Sequence, residues 1–153
     1  MSDAGPSLFT VAVFQDVAWA QKGLSSLRQA GFPPESLTII VKDSPEAGAL
    51  VEQVLGPGAA GRMDLPSVGA VVARGPMIEA LQGSASDLGK LGLAGTMGRV
   101  GFQTHDGRIF ETLTGRGGVL VSIRSAPRAA DALAILHSYG GGNAAIGAWS
   151  GRV

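Results

Sequence analysis

The residues best suited to binding chemistry are arginines and glycines at the two ends of a predicted strand, residues 118–124. They are Arg116, Gly117, Gly118, Arg124 and Arg128. Backbone amides and guanidinium groups bind anions well, particularly at the beginning of a helix such as the one predicted after Ser125. An anion site is therefore one interpretation of this set. The simpler interpretation, a tight turn with solvated arginines, is the one we favour.

No side-chain set typical of an enzyme accompanies these residues. The chain has no cysteine, which excludes thiolate metal sites and thiol nucleophiles, and its two histidines, His105 and His137, make a transition-metal site unexpected. His105 and Asp106 are adjacent, and adjacent side chains point apart on a helix. Residues 83–91 resemble a phosphate-binding loop, but Leu91 stands where Ser or Thr should hold Mg²⁺. We predict a protein that is not an enzyme and has no cofactor or metal.

Length and composition indicate one globular domain over residues 1–153. Hydrophobic residues make up 45% of the chain, enough for a substantial core. Twelve Lys and Arg balance twelve Asp and Glu, so no global positive field favours nucleic acid, which is not an expected partner. The first residues lack a basic region followed by an apolar one, so no signal peptide is expected and the predicted location is cytoplasmic.

The elements that position these residues form two similar halves. In the first half, residues 8–42, a strand at 8–14 precedes a helix capped by Asp16 and stopped at Gly31, and a second strand follows at 37–42. The second half, residues 117–149, repeats strand, helix and strand, with apolar helix positions matching at a constant offset of 109. Two βαβ units in one chain predict an α+β, ferredoxin-like fold with one sheet and both helices on one face.

Residues 43–116 form a long, glycine-rich, helical insert between the halves. A helix at 44–55 capped by Ser44, a possible strand at 67–75, a short helix, the glycine-rich helix and a helix starting at Thr104 are predicted in turn. Because the simple fold leaves one sheet face open, the insert is expected to cover it, unless a partner subunit replaces part of it.

Glycines recur at intervals of three in the segment 88–102. They are Gly89, Gly92, Gly95, Gly98 and Gly101. Glycine costs about 1 kcal/mol relative to alanine inside a helix, so close backbone approach must offset the loss. Residues spaced by three wind around the helix axis instead of forming one stripe, so the helix is predicted to be buried on several sides. Replacing Gly95 by leucine should then strongly destabilise the fold. Only residues 91–98 lack charge, which is too short a stretch to span a membrane. The alternatives are a surface-associated membrane segment and a kinked or partly irregular segment.

Three stretches resemble the bacterial general stress, or heat-induced stress, protein domain family. They are "VAVFQDVAWAQKGLSSLRQAGF", "VGAVVARGPMIEAL" and "GRIFETLTGRGGVLVSIRSAPRAADALAILHSYG". The passage at 108–123 is the most specific, with an aromatic and acidic helix, basic residues and then Gly-Gly-Val-Leu-Val. "THDG" departs from the proline and acidic run usual in that family. The resemblance implies a ferredoxin-like fold with a glycine-rich helical hairpin and a stress-associated role, and it brings no catalytic residue.

The functional expectation is a structural or protein-interaction protein that forms homo-oligomers. Trp19 and Trp149 are the candidate interface residues, because large aromatic side chains are enriched at binding surfaces. Trp19 lies off the apolar face of its predicted helix, whereas Trp149 suits a core position equally well. A small-molecule or anion sensor, and a peripheral membrane protein, are the alternatives.

Overall fold

The computed structural model of the chain describes residues 9–56, 61–82, 88–100, 104–124, 134–135 and 148–150. The strands are β1 Phe9–Phe14, β2 Leu37–Lys42, β3 Gly61–Leu65, β4 Gly69–Arg74, β5 Val119–Arg124 and β6 Ala148–Ser150. The helices are α1 Val17–Gln29, α2 Pro45–Leu55, α3 Pro76–Gln82, α4 Leu88–Thr96 and α5 Thr104–Gly115, with 3-10 helices at Pro34–Ser36 and Met97–Val100. The fold is α+β.

One antiparallel sheet runs through the molecule in the order β3-β4-β2-β5-β1-β6. The predicted strands at 8–14, 37–42 and 118–124 are confirmed to within a residue as β1, β2 and β5. The last predicted strand, 143–149, corresponds to β6, and its residues before Ala148 lie outside the described residues. The three central strands read as nearly continuous apolar runs because both faces of the sheet are covered.

The first face of the sheet carries α1 and α2. Alternate strand residues such as Phe14, Ile39 and Val121 point to this side and meet Leu24 of α1 and Leu50 of α2. All are 2% exposed or less. Since both helices present apolar residues at helical spacing to one sheet face, they share a single core.

The second face carries α3, α4 and α5. Val13, Ile40 and Leu120 point to this side, where they meet Phe110 of α5 and Leu93 of α4. The face is therefore covered by helices of this same chain, and no partner subunit is needed there.

Local signals decide where α1 and α2 begin and where α1 ends. The Asp16 carboxylate accepts a hydrogen bond from Trp19 N at 2.9 Å, and the Ser44 hydroxyl accepts one from Ala47 N at 3.0 Å, so both predicted N-caps are confirmed. Gly31, with φ of 97°, ends α1, and Phe32 N donates to Leu27 O at 3.1 Å in a Schellman motif.

The segment between the two halves contains strands as well as the predicted helices, and the possible strand at 67–75 is confirmed as β4. It adds a hairpin, β3 and β4, to the edge of the sheet. Strand β3 was missed because "GRMDL" has no β-branched residue, and it forms by pairing with β4. The connecting turn places Ser67 at φ of 68°, and Val68 N donates to Leu65 O at 3.2 Å.

The glycine-rich helix is interrupted, and the prediction that it is buried on several sides is wrong. Gly92 has φ of 76° and ψ of −178°, which divides α4 into two short pieces. Gly92 is buried, whereas Gly89, Gly95 and Gly98 are exposed. Because the axis changes at Gly92, the three-residue period does not wind around one helix, and Gly95 faces solvent. Gly101 lies outside the described residues.

Close approach is required at Gly92, where α4 crosses the turn between β3 and β4. A Cβ atom there would lie 3.4 Å from Pro66 Cδ and 3.0 Å from Glu111 Oε2. On the other side of the same turn, a Cβ atom on Gly115 would lie 3.3 Å from Ser67 O. The turn is thus held between α4 and α5 at two glycines.

Gly92→Ala is expected to destabilise the protein by about 2 kcal/mol, because alanine must adopt a left-handed backbone beside a half-buried carboxylate. Gly98→Ala is the matched control, since nothing lies within 4 Å of its added Cβ, and it should change stability by less than about 0.5 kcal/mol. Urea denaturation measures both. Equal midpoints for the two variants would contradict the role assigned to Gly92.

Candidate functional site

The backbone amides of the candidate anion site are already used by α5. Gly117 N donates to Thr114 O at 3.1 Å and Gly118 N donates to Leu113 O at 2.9 Å, while Gly117 has φ of 100°. This pattern is the Schellman motif that ends a helix. Arg116 N also donates, to Thr112 O at 3.1 Å. No amide of residues 116–118 is available to an anion, which favours the tight turn at this end of β5. The helix predicted after Ser125, at whose beginning the anion was expected to bind, lies outside the described residues.

The structure also separates the arginines of that set. Arg116 precedes β5 and Arg124 ends it, and both are exposed. Six residues of strand extend about 17 Å, so the two guanidinium groups do not share one small ligand. Arg128 lies outside the described residues. Gly118 is needed for packing, since a Cβ atom there would lie 2.8 Å from Leu113 O and 2.7 Å from Val13 Cγ1.

A polar junction at the break in α4 was not predicted from the sequence. Glu111 Oε2 accepts a hydrogen bond from Ala94 N at 3.2 Å, and Thr96 Oγ1 donates to Gly92 O at 2.8 Å. Arg99 Nη1 donates to Leu81 O at 2.6 Å and thereby caps the end of α3. Each group pairs with a backbone atom within or at the end of a helix, so the junction has a structural role. Sequence reasoning missed it because Glu111 and Arg99 lie 17 and 18 residues from the backbone atoms with which they pair.

A mixed-charge groove of about 430 Å³ opens where β2, β4 and α3 meet. Its polar side chains are Glu35, Arg74 and Glu79. Both glutamates are exposed, and Arg74 Nη1 lies 3.5 Å from Gly56 O. Sequence reasoning missed the groove because its lining comes from several separate segments. The groove contains two exposed carboxylates and one guanidinium. Because these charges are of both signs, they do not indicate one class of ligand.

Trp19 is exposed on α1, as predicted. Its side chain is 39% exposed, and Lys22 Nζ lies 4.7 Å from the centre of its ring. The Asp16 cap fixes the helix turn from which the ring extends. Leu91 of α4, at 49%, is the other exposed large hydrophobic side chain in the described part of the chain. Trp149 lies in β6 opposite Val11, and its side chain is outside the described set.

Helices α1 and α2 lie side by side and carry opposite charges on their outer surfaces. Gln21 Nε2 on α1 donates to Gln53 Oε1 on α2 at 3.1 Å. The exposed charged side chains of α1 are Lys22 and Arg28, and the helix itself contains no acidic residue. The α2 helix contains the exposed Glu46 and Glu52 and no basic residue. We call these outer surfaces together the α1–α2 face.

Over the described residues, no group of three or more His, Asp or Glu side chains is placed to hold a metal ion. His105 is exposed in the first turn of α5, beside the partly exposed Asp106. None of the described helices has the length and apolar character needed to cross a membrane.

The chain matches no protein-family model, and no curated protein or solved structure is similar to it.

Proposed function

We propose that the protein is a non-enzymatic, stress-associated interaction protein of the cytoplasm that acts as a homo-oligomer. The observation that carries the proposal is the exposed Trp19, with Lys22 above its ring. Tryptophan contributes more to binding than most residue types, and a ring restrained before association loses less entropy when it binds. The stress association rests on the sequence resemblance.

The framework that we propose for this function is ferredoxin-like. Support comes from the strand order β2-β5-β1-β6, which is the order that two interleaved βαβ halves produce. Ile135, which is helical in the short described stretch 134–135, packs against the same core as α1. Two helices on one sheet face are what the proposed framework requires. Strands β3 and β4 and helices α3 to α5 would then be additions to it.

A non-catalytic role is the simplest account of the polar groups described above. Glu111, Arg99 and Thr96 pair with backbone atoms at helix ends, and Lys42 Nζ donates to Gly115 O at 3.0 Å at the end of α5. Each of these contacts stabilises a helix, which is a sufficient role for the group that makes it. For the part of the chain that the structure describes, we therefore place the function on the surface that carries Trp19.

Trp19→Ala is expected to weaken self-association at least about tenfold, because the exposed ring loses its contact area. Sedimentation velocity between about 1 μM and about 300 μM would measure the dissociation constant, a range that brackets micromolar affinity. Leu91→Ala is the control, since Leu91 is equally apolar and exposed but lies in the opposite helix layer. A wild-type chain that stays monomeric throughout this range would overturn the proposal, as would equal association of both variants.

A further inference from the structure

In the described part of the chain, the exposed charged side chains of α4, of α5 and of the 3-10 helix between them are all basic. Together with the residue that directly follows α5, they are Lys90, Arg99, His105, Arg108 and Arg116. Two acidic residues occur in these helices. Asp106 is only partly exposed, and Glu111 accepts the hydrogen bond from Ala94 N. Because the whole chain has no net charge, the positive charge is a local property of this surface.

Exposed polar residues form one stripe along α5. The stripe consists of His105, Arg108, Thr112 and Arg116. Steps of three and four residues keep side chains on one side of a helix. Arg116 N donates to Thr112 O at 3.1 Å, which keeps Arg116 in line with the helix although it follows the last helical residue. Phe110 and Thr114, on the opposite side of α5, are fully buried, so the stripe points away from the sheet.

An exposed apolar side chain lies on the neighbouring helix. Helices α4 and α5 pack against each other, since a Cβ atom on Gly92 would lie 3.0 Å from Glu111 Oε2. Directly before Gly92, Leu91 is 49% exposed and Lys90 is exposed as well. We call the solvent-exposed sides of these helices the α4–α5 face. It comprises Lys90, Leu91, Arg99, His105, Arg108, Thr112 and Arg116.

We propose that the α4–α5 face binds the surface of an anionic phospholipid membrane, with its basic side chains near the lipid phosphates and Leu91 entering the headgroup layer. Basic residues beside an exposed large apolar side chain are the composition of segments that lie in the membrane interface. The positive side chains supply attraction to anionic lipids, and Leu91 supplies apolar area. The inference goes beyond self-association and does not depend on it, because Trp19 lies in the other helix layer.

The exposed acidic side chains in the described part of the chain lie on other elements. Asp64 is on β3 and Glu79 is on α3, whereas Glu46 and Glu52 are on α2, across the sheet. Two layers of about 10 Å each separate α2 from the α4–α5 face. This separation exceeds the screening length of about 8 Å at physiological salt, so the charges of α2 have little effect there. Asp87, directly before α4, lies outside the described residues.

Leu91 favours lipid over other polyanions. A nucleic acid offers phosphates, but it has no apolar layer for an exposed leucine, and single strands are bound with aromatic side chains that stack on bases. None of the described residues of the α4–α5 face is aromatic. A helical acidic peptide would need a groove for its side chains, whereas the outer surface of two packed helices is convex.

The number of basic residues sets the expected strength of binding. Each Lys or Arg near an anionic membrane raises the affinity about fivefold, so four of them raise it on the order of several hundredfold. Arg99 adds its charge even though its Nη1 atom donates to Leu81 O. Leu91 should add about tenfold when its exposed part leaves water. Binding should weaken as salt rises from about 0.1 M to about 1 M, because the screening length falls from about 10 Å to about 3 Å.

Flotation of the purified chain with lipid vesicles tests the proposal. The wild-type chain should float with vesicles that mix phosphatidylglycerol and phosphatidylcholine, and it should not float with phosphatidylcholine alone. Arg108→Glu, or Thr112→Glu as a second exposed change in the same stripe, should weaken binding at least about fivefold, and Leu91→Ala should weaken it about tenfold. Arg28→Glu, the reversal of an exposed arginine on α1, is the matched control and should bind like the wild type.

Several results would overturn the membrane contact. A wild-type chain that does not float with the phosphatidylglycerol vesicles contradicts it, as do equal losses in Arg108→Glu and Arg28→Glu. Full binding by Leu91→Ala contradicts the lipid assignment. If a short DNA duplex also displaces the chain from the vesicles, the face belongs to a nucleic acid instead. A chain that floats but stays monomeric in solution would overturn self-association and leave the membrane contact intact.

Discussion

Gly75→Ala is expected to lower the free energy of unfolding by about 3 to 5 kcal/mol. Gly75 connects β4 to α3 with φ of 132°, a conformation that costs alanine about 1 to 3 kcal/mol. A Cβ atom there would also overlap Leu37 O and the Cα atom of Thr38, in the backbone of β2. Overpacking of this kind adds about 1 to 3 kcal/mol. Urea denaturation of the purified variant would measure the loss.

The effect should extend to the attachment of α3. Thr38 Oγ1 accepts a hydrogen bond from Met77 N at 2.9 Å, which ties the first turn of α3 to the buried sheet. Gly69→Ala is the matched control, because Gly69 has φ of 98° but nothing within 4 Å of its added Cβ. It should cost only about 1 kcal/mol. An equal loss of unfolding free energy in the two variants would show that contact with β2 is not the reason why position 75 requires glycine.

Phe14→Ala is expected to destabilise the protein by about 3 to 5 kcal/mol, because the ring is fully buried in the core beneath α1. The same ring explains a glycine in the middle of that helix. A Cβ atom on Gly23 would lie 2.6 Å from Phe14 Cζ and 2.9 Å from its Cε1. Glycine at position 23 costs the helix about 1 kcal/mol relative to alanine. Alanine does not fit there, because the Phe14 ring occupies the space that its Cβ atom would need.

The two positions should therefore be coupled. Gly23→Ala should destabilise the wild-type chain by about 1 to 3 kcal/mol but stabilise the Phe14→Ala chain by about 1 kcal/mol, since alanine favours the helix once the ring is gone. A double-mutant cycle from denaturation curves measures this change of sign. Phe14→Leu replaces Phe14→Ala if the latter retains too little stability. Additive effects would show that Gly23 has another reason to be glycine.

Most element positions could be predicted from the sequence because their signals are local. Apolar β-branched runs predicted β1, β2 and β5, and Asp16 and Ser44 predicted where α1 and α2 begin. Gly31 predicted where α1 ends, because only glycine readily adopts the positive φ of a Schellman motif.

The candidate site was less predictable. The amides of Gly117 and Gly118 looked available in the sequence, and their use by α5 depends on how that helix terminates. The glycine run was predicted to form one helix, but α4 breaks at Gly92, which packs closely against Pro66 and Glu111, two residues far from it in sequence. The exposure of Trp19 followed from helical spacing alone. The charge segregation of the α1–α2 face required knowing that α2 packs beside α1.

Short stretches of the chain specify its local structure: which runs become strands, where helices start and stop, and which side of α1 is apolar. These depend on propensity, capping and periodicity, which act over a few residues. Long-range packing, in contrast, specifies which glycines are buried, which polar atoms cap α3 and α4, that β3 joins the sheet, and which charges share a surface. These depend on contacts between segments far apart in the chain, whose packing no short pattern encodes.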